Sequence, residues 1–397
     1  MNVIFINYYD FRSPSGMHIF HIANSLAKLG VRSAVYSVGK AASVSRYGRP
    51  KFHSYDTKTS PTRLVADCNF KEGETIIHSW TPRERVRVMT ELFLGQFQAP
   101  VVVHMEDNEE AITEAQLEKI SPEKKNSDEI WEINQEMFGF SHPERYPAFL
   151  AGAAGYTCII EELLDFKPAN VPGAVFWPAC EDEVFAIPPA VSAEEKIRWG
   201  FSPDEYVVFY PGGVHRNNME EVFHLYLAIA ILRKSGVPIR IIKFGTYSLS
   251  EVEELVFAPF GIKDAVVDLT DRIAPMQIPE VMKAVDFLVQ PGEDNAFNHY
   301  RFPCKLPLFM ASGRPVILPP SNLGKHLTHG ENCLLLQNGK SDPEEIANYL
   351  LYLMNNPQRA KALGENGREF AKKRFSWDAS AKTLHKFYAD ILLKNTF

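Results

Sequence analysis

At 397 residues the chain is long for a single hydrophobic core and suits two domains of about 200 residues each. With 45% hydrophobic and 23% charged residues and no low-complexity tract, it is a globular composition rather than a disordered one. The net charge of −7 is concentrated early: up to Phe185 there are 18 basic and 25 acidic residues, and the remainder is neutral. That distribution offers no basic face for nucleic acid and no basic cluster for tight membrane docking, so membrane contact is at most peripheral.

Cys68, Cys158, Cys180, Cys304 and Cys333 are scattered, with no Cys-x-x-Cys pair. Such an odd set predicts reduced thiols, a cytoplasmic chain and no metal site. The opening MNVIFINYYDF lacks both a basic segment and a long apolar stretch, unlike a signal peptide. No run approaches the roughly 18 apolar residues of a membrane span.

Along the chain, VIFINYY reads as a buried strand, DFRSPSG as a loop, and MHIFHIANSLAKLG as a helix. In that helix Ile19, Ile22, Ala23, Leu26 and Ala27 share a face, and Gly30 is its cap. VRSAVYSVG, TIIHSW and PVVVHMED read as further strands, and PRERVRVMTELFLG as a helix with Pro82 in its first turn. Residues 109–136 read as an acidic helix whose charges form a solvated face. A proline-rich stretch predicts the linker, 181–203, after an N-terminal domain of residues 1–180.

A second βα series follows over 204–375. EYVVFYPGG, PIRIIKFG, DFLVQPG and RPVILPP are strands, while MEEVFHLYLAIAILRKSG and 343–375 are helical. Alternating strands and helices in both halves predict an α/β protein of two Rossmann-like domains facing a central cleft. The last segment, 376–397, is expected to pack back on the N-terminal domain.

Four clusters carry the polar chemistry. Ser15, Gly16 and His18 lie between the first strand and its helix, where a glycine and a helix N-terminus receive a ligand. His104, Glu106, Asp107 and Asn108 fall at the end of PVVVHMED, and His78 falls near the end of TIIHSW. Such groups suit acid/base or hydroxyl-binding work. The competing roles are a helix cap for Asp107 or Asn108 and a satisfied core position for the histidines.

Gly212, Gly213 and Arg216 follow YVVFYP, and a glycine turn beside a guanidinium suits a diphosphate. Asn298, Arg301 and Lys305 form the fourth cluster, in which the two cations share a face if the segment is helical.

At these residues the chain resembles glycosyltransferase family 4. The resemblance rests on KLPLFMASGRPVILP, HLTHGENCLLL and RFSWDASAKTLHKFYADIL, together with YPGGVHRNNMEEVFHLYLAIAILRKSGVPIRIIKFG and WPACEDEVF. HSWTPRERVR and VVHMEDNEE resemble the family's N-terminal half more loosely. It implies the GT-B fold, a nucleotide-diphosphate sugar as substrate, no metal or cofactor, and retention at the anomeric carbon. The donor would be held by Gly212, Gly213, Arg216, Asn298, Arg301, Lys305, Asn322 and Gly324. A saccharide or lipid-linked acceptor would meet Ser15, Gly16, His18, His78 and Asn108, with Glu106, Asp107 and His104 at the chemistry.

Five positions, in three groups, depart from the family. Its paired glutamates are Tyr300 and Leu308 here, Asn217 and Asn218 stand where Lys-Gly is usual, and Glu106 occupies the place of a histidine. Leucine cannot receive a ribose hydroxyl, which costs about 1–3 kcal/mol if the hydroxyl stays unpaired. A catalytically silent GT-B subunit that binds a glycan or partners an active transferase is therefore the alternative to an enzyme.

Overall fold

The computed structural model describes residues 1–118, 131, 137–188, 190–214, 218–245, 257–270 and 272–395. The chain divides into two compact units. Unit 1 comprises Met1–Pro178, the tripeptide Tyr300–Phe302 and the segment from Ser376 onward; unit 2 comprises Ala179–His299 and Pro303–Phe375.

Unit 1 is built on seven parallel strands: β1 (Asn2–Asn7), β2 (Arg32–Ser37), β3 (His53–Asp56), β4 (Thr75–Trp80), β5 (Val101–Met105), β6 (Gly155–Cys158) and β7 (Gly173–Val175). Their order is β3-β2-β1-β4-β5-β6-β7, so the connections reverse direction between β1 and β4. All six residues of β1 and of β4 are buried, as expected for strands covered on both faces.

The helix Pro14–Lys28 begins where Ser13 Oγ accepts from Gly16 N, with Pro14 preset for the first turn. Gly16 is required there, because a Cβ would sit 2.5 Å from the Asp10 carbonyl oxygen. Gly30, at φ +80°, then turns the chain into β2. The C-terminal helix Trp377–Lys394 packs on Pro14–Lys28, where His21 stacks on Trp377 at 5.2 Å and Lys28 pairs with Asp378 at 2.8 Å.

Unit 2 has six parallel strands: β8 (Tyr206–Pro211), β9 (Ile239–Phe244), β10 (Val266–Asp268), β11 (Phe287–Val289), β12 (Val316–Leu318) and β13 (Leu334–Leu335). Their order, β10-β9-β8-β11-β12-β13, places the reversal between β8 and β11. Helix Met219–Lys234 packs against Pro343–Asn355 over a core that includes Leu225, Ile229, Leu232, Ile346 and Leu350.

Several details differ from the sequence expectations. Pro82 precedes its helix, which runs Glu84–Leu94. The helical stretch after Asp342 is two helices, Pro343–Asn355 and Pro357–Arg374, because Pro357 has no N–H to continue the first. Residues expected as linker include the helix Ala193–Arg198, fixed within unit 2 by Lys196, which meets Asp286 at 2.9 Å. The acidic helix is described over Glu109–Leu117, and most of its expected remainder lies outside the described residues. Glu109 is fully buried against Arg83 and Ser141, and so is no part of a solvated face. No helix among the described residues is long and apolar enough to cross a membrane. All five cysteines are free thiols.

Candidate functional site

In unit 1 the register of adjacent strands gathers one polar cluster. Trp80 pairs with His104 across β4 and β5, and Glu106 lies just past the end of β5, two residues after His104. Helix Pro14–Lys28, which follows β1, brings Ser15 and His18 to the same place. Glu106 is the hub. It accepts from Ser15 Oγ, from Trp80 Nε1 at 2.8 Å and from His18 Nδ1 at 2.6 Å. Burial alone would raise this carboxyl, but the nearby His18 and His104 and the hydroxyl of Ser15 prevail and push it down to about 2. Trp80 is the member that residue-by-residue reading missed; strand alternation in TIIHSW, which sets Trp80 and His78 on one face, is the signal that leads to it.

A second tier lies beneath. Thr157 Oγ1 is 2.8 Å from His104 Nδ1 and 2.9 Å from His78 Nε2, and His78 Nδ1 meets the Tyr388 hydroxyl at 2.6 Å. His78 is fully buried with both ring nitrogens engaged inside the protein. His104 is also fully buried; its ring stacks on Phe176 at 4.9 Å, and its Nε2 stands 4.0 Å from Glu106 Oε1. Burial pushes His104 down to about 3, against the pull of Glu106, so the ring is neutral.

Asp107 has a different set of charged neighbours. Burial and the carboxylates of Glu109 and Glu106 raise it to about 7, against the opposing pull of Arg301 and Arg83. Arg83 in turn pairs with Glu109 at 3.0 Å and covers the Tyr8 ring at 4.3 Å. Asn108 is the cap of Glu109–Leu117, accepting from Ala111 N at 3.0 Å.

In unit 2 the candidate residues gather at the carboxyl ends of β8, β11 and β12. Lys305 Nζ lies 3.9 Å from the centre of the Tyr210 ring and occupies the space over Gly212, where a Cβ would come within 2.5 Å of it. Gly245, at φ +125°, backs the same turn: a Cβ there would meet the Gly212 carbonyl carbon at 2.7 Å. Gly212 N is taken by the Phe244 carbonyl at 2.7 Å, while Asn218 Nδ2 donates to the Gly213 carbonyl at 3.1 Å. The turn therefore presents backbone, an ammonium and the start of helix Met219–Lys234 together, which suits an anion. Arg216 lies outside the described residues.

Asn298 Nδ2 donates to Glu221 Oε1 at 2.5 Å and to the Glu293 carbonyl at 3.1 Å, and the Asn298 carbonyl accepts from Asn322 Nδ2. Asn322 holds φ +50°, and its buried Oδ1 has no hydrogen-bond partner among the described residues. Gly324 is obligatory, since a Cβ would lie 2.2 Å from the Pro319 carbonyl oxygen. Leu308 is half-buried in the short helix Leu306–Ala311.

Arg301 and Lys305 do not share a helix. The helix Ala296–His299 ends before them, and 301–303 has no regular structure because Pro303 cannot donate a helical hydrogen bond. Arg301 falls in unit 1, where it bears on Asp107, whereas Lys305 falls in unit 2. The neighbours of Arg301 anchor it in unit 1: Tyr300 donates to Asp165 at 3.0 Å, and Phe302 meets Trp177 edge-on at 5.3 Å.

Residues 205–356 match the family described as Glycosyl transferases group 1. Among solved structures, HepE of Anabaena, in complex with UDP-glucose, is 15% identical with a TM-score of 0.69 over 98% of this chain and 100% of that one. A glycosyltransferase of Rickettsia africae is 12% identical, with a TM-score of 0.70 over 100% and 99%. The fold is GT-B.

Two curated relatives match by sequence. An uncharacterised glycosyltransferase of Methanocaldococcus jannaschii is 32% identical over 126 residues, 32% of this chain and 34% of its own. D-inositol 3-phosphate glycosyltransferase of Rhodococcus erythropolis is 28% identical over 195 residues, 48% of this chain and 42% of its own. The chain thus spans well under two thirds of either relative. Within the GT-B frame, the 205–356 match contains the Gly212 turn, Asn298, Lys305, Leu308, Asn322 and Gly324.

Proposed function

We propose that the chain is a glycosyltransferase that moves a hexose-type sugar from a nucleotide diphosphate to a saccharide or lipid-linked acceptor, with retention. The observation that carries this is the match of residues 205–356 to glycosyl transferases, over a segment that sets an ammonium against a glycine turn. Departure of a nucleoside diphosphate builds negative charge, and preorganised cations and amides lower the barrier to it. Lys305, the amides that follow Gly212 and Gly324, and the start of Met219–Lys234 supply that role in unit 2. UDP-glucose in the complex of HepE supports a nucleoside-diphosphate sugar as the donor class. The acceptor is assigned to unit 1, at the mouth of β1, β4 and β5 where Ser15, Gly16, His18, Glu106 and Asp107 gather. Catalysis takes place in the cytoplasm and needs no metal.

Incubation with UDP- and GDP-sugars, with release of the free nucleoside diphosphate as readout, tests this. Release from one of the sugars is the expected result. Leu308, which removes a carboxylate the family resemblance leads one to expect, favours a silent subunit as the second reading. On that reading no donor is turned over, while glycans still bind.

A further inference from the structure

We propose that His18 Nε2 is the atom in unit 1 that takes a hydroxyl of the sugar acceptor, and that Glu106 serves to position it. This rests on the glycosyltransferase reading and names the contact within the same cluster. Glu106 is first to be considered for that contact, yet it is already occupied. Ser15, Trp80 and His18 all donate to it, and His104 Nε2 stands just beyond hydrogen-bond reach.

His18 is the reverse case. Its Nδ1 faces a carboxylate that can only accept, so Nδ1 carries the hydrogen. Its Nε2 is buried, in a residue only 3% exposed, and has no hydrogen-bond partner among the described residues. A neutral ring then offers an acceptor at Nε2 and a protonated ring a donor. A hydroxyl satisfies either, because it both donates and accepts. Leaving such an atom unpaired is costly, and a bound hydroxyl removes the cost. The position suits it, because His18 lies in the helix that follows β1 and β1 flanks the strand reversal, where open α/β sheets bind ligands.

Two substitutions separate contact from scaffolding. The amide of His18→Asn can stand in for Nδ1 and keep the donor to Glu106, but has nothing at Nε2. His18→Gln reaches the Nε2 position and gives up the Nδ1 contact. Each is assayed in the full chain for transfer from UDP- and GDP-sugars to a panel of methyl glycosides, alongside UDP and GDP binding and thermal unfolding. Expected is a native-like midpoint for His18→Asn, unchanged nucleotide binding, and transfer reduced about tenfold or more; His18→Gln retains more transfer than His18→Asn. Equal transfer by wild type and His18→Asn overturns the assignment. Nitrogen-15 NMR of the histidine rings reads the same contact without turnover. His18 is expected to carry its hydrogen on Nδ1, and its Nε2 signal to shift on adding a methyl glycoside. A signal that no glycoside moves, or a ring hydrogenated on Nε2 alone, also overturns it. Absence of both nucleotide binding and turnover, with the Nε2 shift still present, instead overturns the glycosyltransferase reading and leaves the hydroxyl contact standing.

Discussion

His78 and Tyr388, 310 residues apart in the chain, share a 2.6 Å hydrogen bond in the core of unit 1. Burial holds His78 well below its ordinary value, so the ring is neutral and has one donor and one acceptor nitrogen to satisfy. Thr157 takes one and Tyr388 the other. Tyr388→Phe leaves a buried ring nitrogen unpaired, which costs about 1–3 kcal/mol. Urea unfolding should show that loss, with faster amide exchange in Trp377–Lys394. A variant as stable as the wild type would mean that the bond does not hold the helix.

Gly212 and Gly245 face each other, but their substitutions should differ. Alanine at Gly212 meets the movable end of Lys305, so the fold yields cheaply while the ammonium is displaced. Alanine at Gly245 meets backbone from a φ that side chains rarely adopt. Expected for Gly212→Ala is a small change in midpoint with UDP affinity reduced about tenfold, one charge-assisted bond of ~1.5 kcal/mol. Lys305→Ala should match that loss of affinity. Gly245→Ala should lower the midpoint itself. Calorimetric titration and thermal unfolding on the same samples decide it. The Arg301→Ala variant should leave UDP affinity alone, since Arg301 acts on Asp107 in unit 1.

Asp107 and Glu106 are neighbours with opposite shifts, and so should respond oppositely to pH. Asp107 is raised from 3.8 to about 7 by burial, among Arg301, Glu109, Arg83 and Glu106. Its contribution to stability is complete below the ordinary carboxyl range and is lost as pH rises through about 7. Glu106, lowered from 4.5 to about 2, contributes above 4.5 and loses that as pH falls toward 2. Asp107→Asn should therefore gain on the wild type in unfolding midpoint as pH rises from about 4 to 7, with little further change above that. Glu106→Gln should be the less stable at pH 7 and approach the wild type in acid. A midpoint difference for Asp107→Asn that does not change with pH would show that the carboxyl titrates normally.

The long parallel strands were legible because β-branched runs such as VIFIN and PVVV are buried on both faces and end in polar residues. The short strands β3, β6, β7, β10 and β13 were not, since two to four residues carry no period of their own; β11 and β12, only three residues each, were legible through the apolar runs and prolines around them. Ser15, His18, His104 and Glu106 could be singled out as residue types at strand and helix ends, and the structure brings them together. Their division of labour was not legible. Whether a carboxylate is free or saturated depends on donors far from it in sequence, here Ser15, His18 and Trp80 for Glu106. Arg301 shows a further limit: four-residue spacing to Lys305 suggests one helical face, but Pro303 stands between them, and the chain gives Arg301 to one unit and Lys305 to the other.

Unit 2 is assigned a nucleoside-diphosphate sugar, held there for transfer. Titrating UDP- and GDP-sugars into wild type and Leu308→Glu in parallel, while following nucleoside-diphosphate release, tests it most directly. The expected result is saturable binding and release by the wild type for one of these sugars. Leu308→Glu should bind up to about tenfold more tightly, the equivalent of one added hydrogen bond to the ribose of ~1.4 kcal/mol. A wild type that neither binds nor turns over any of these sugars, with Leu308→Glu equally inert, would rule out a donor site in unit 2.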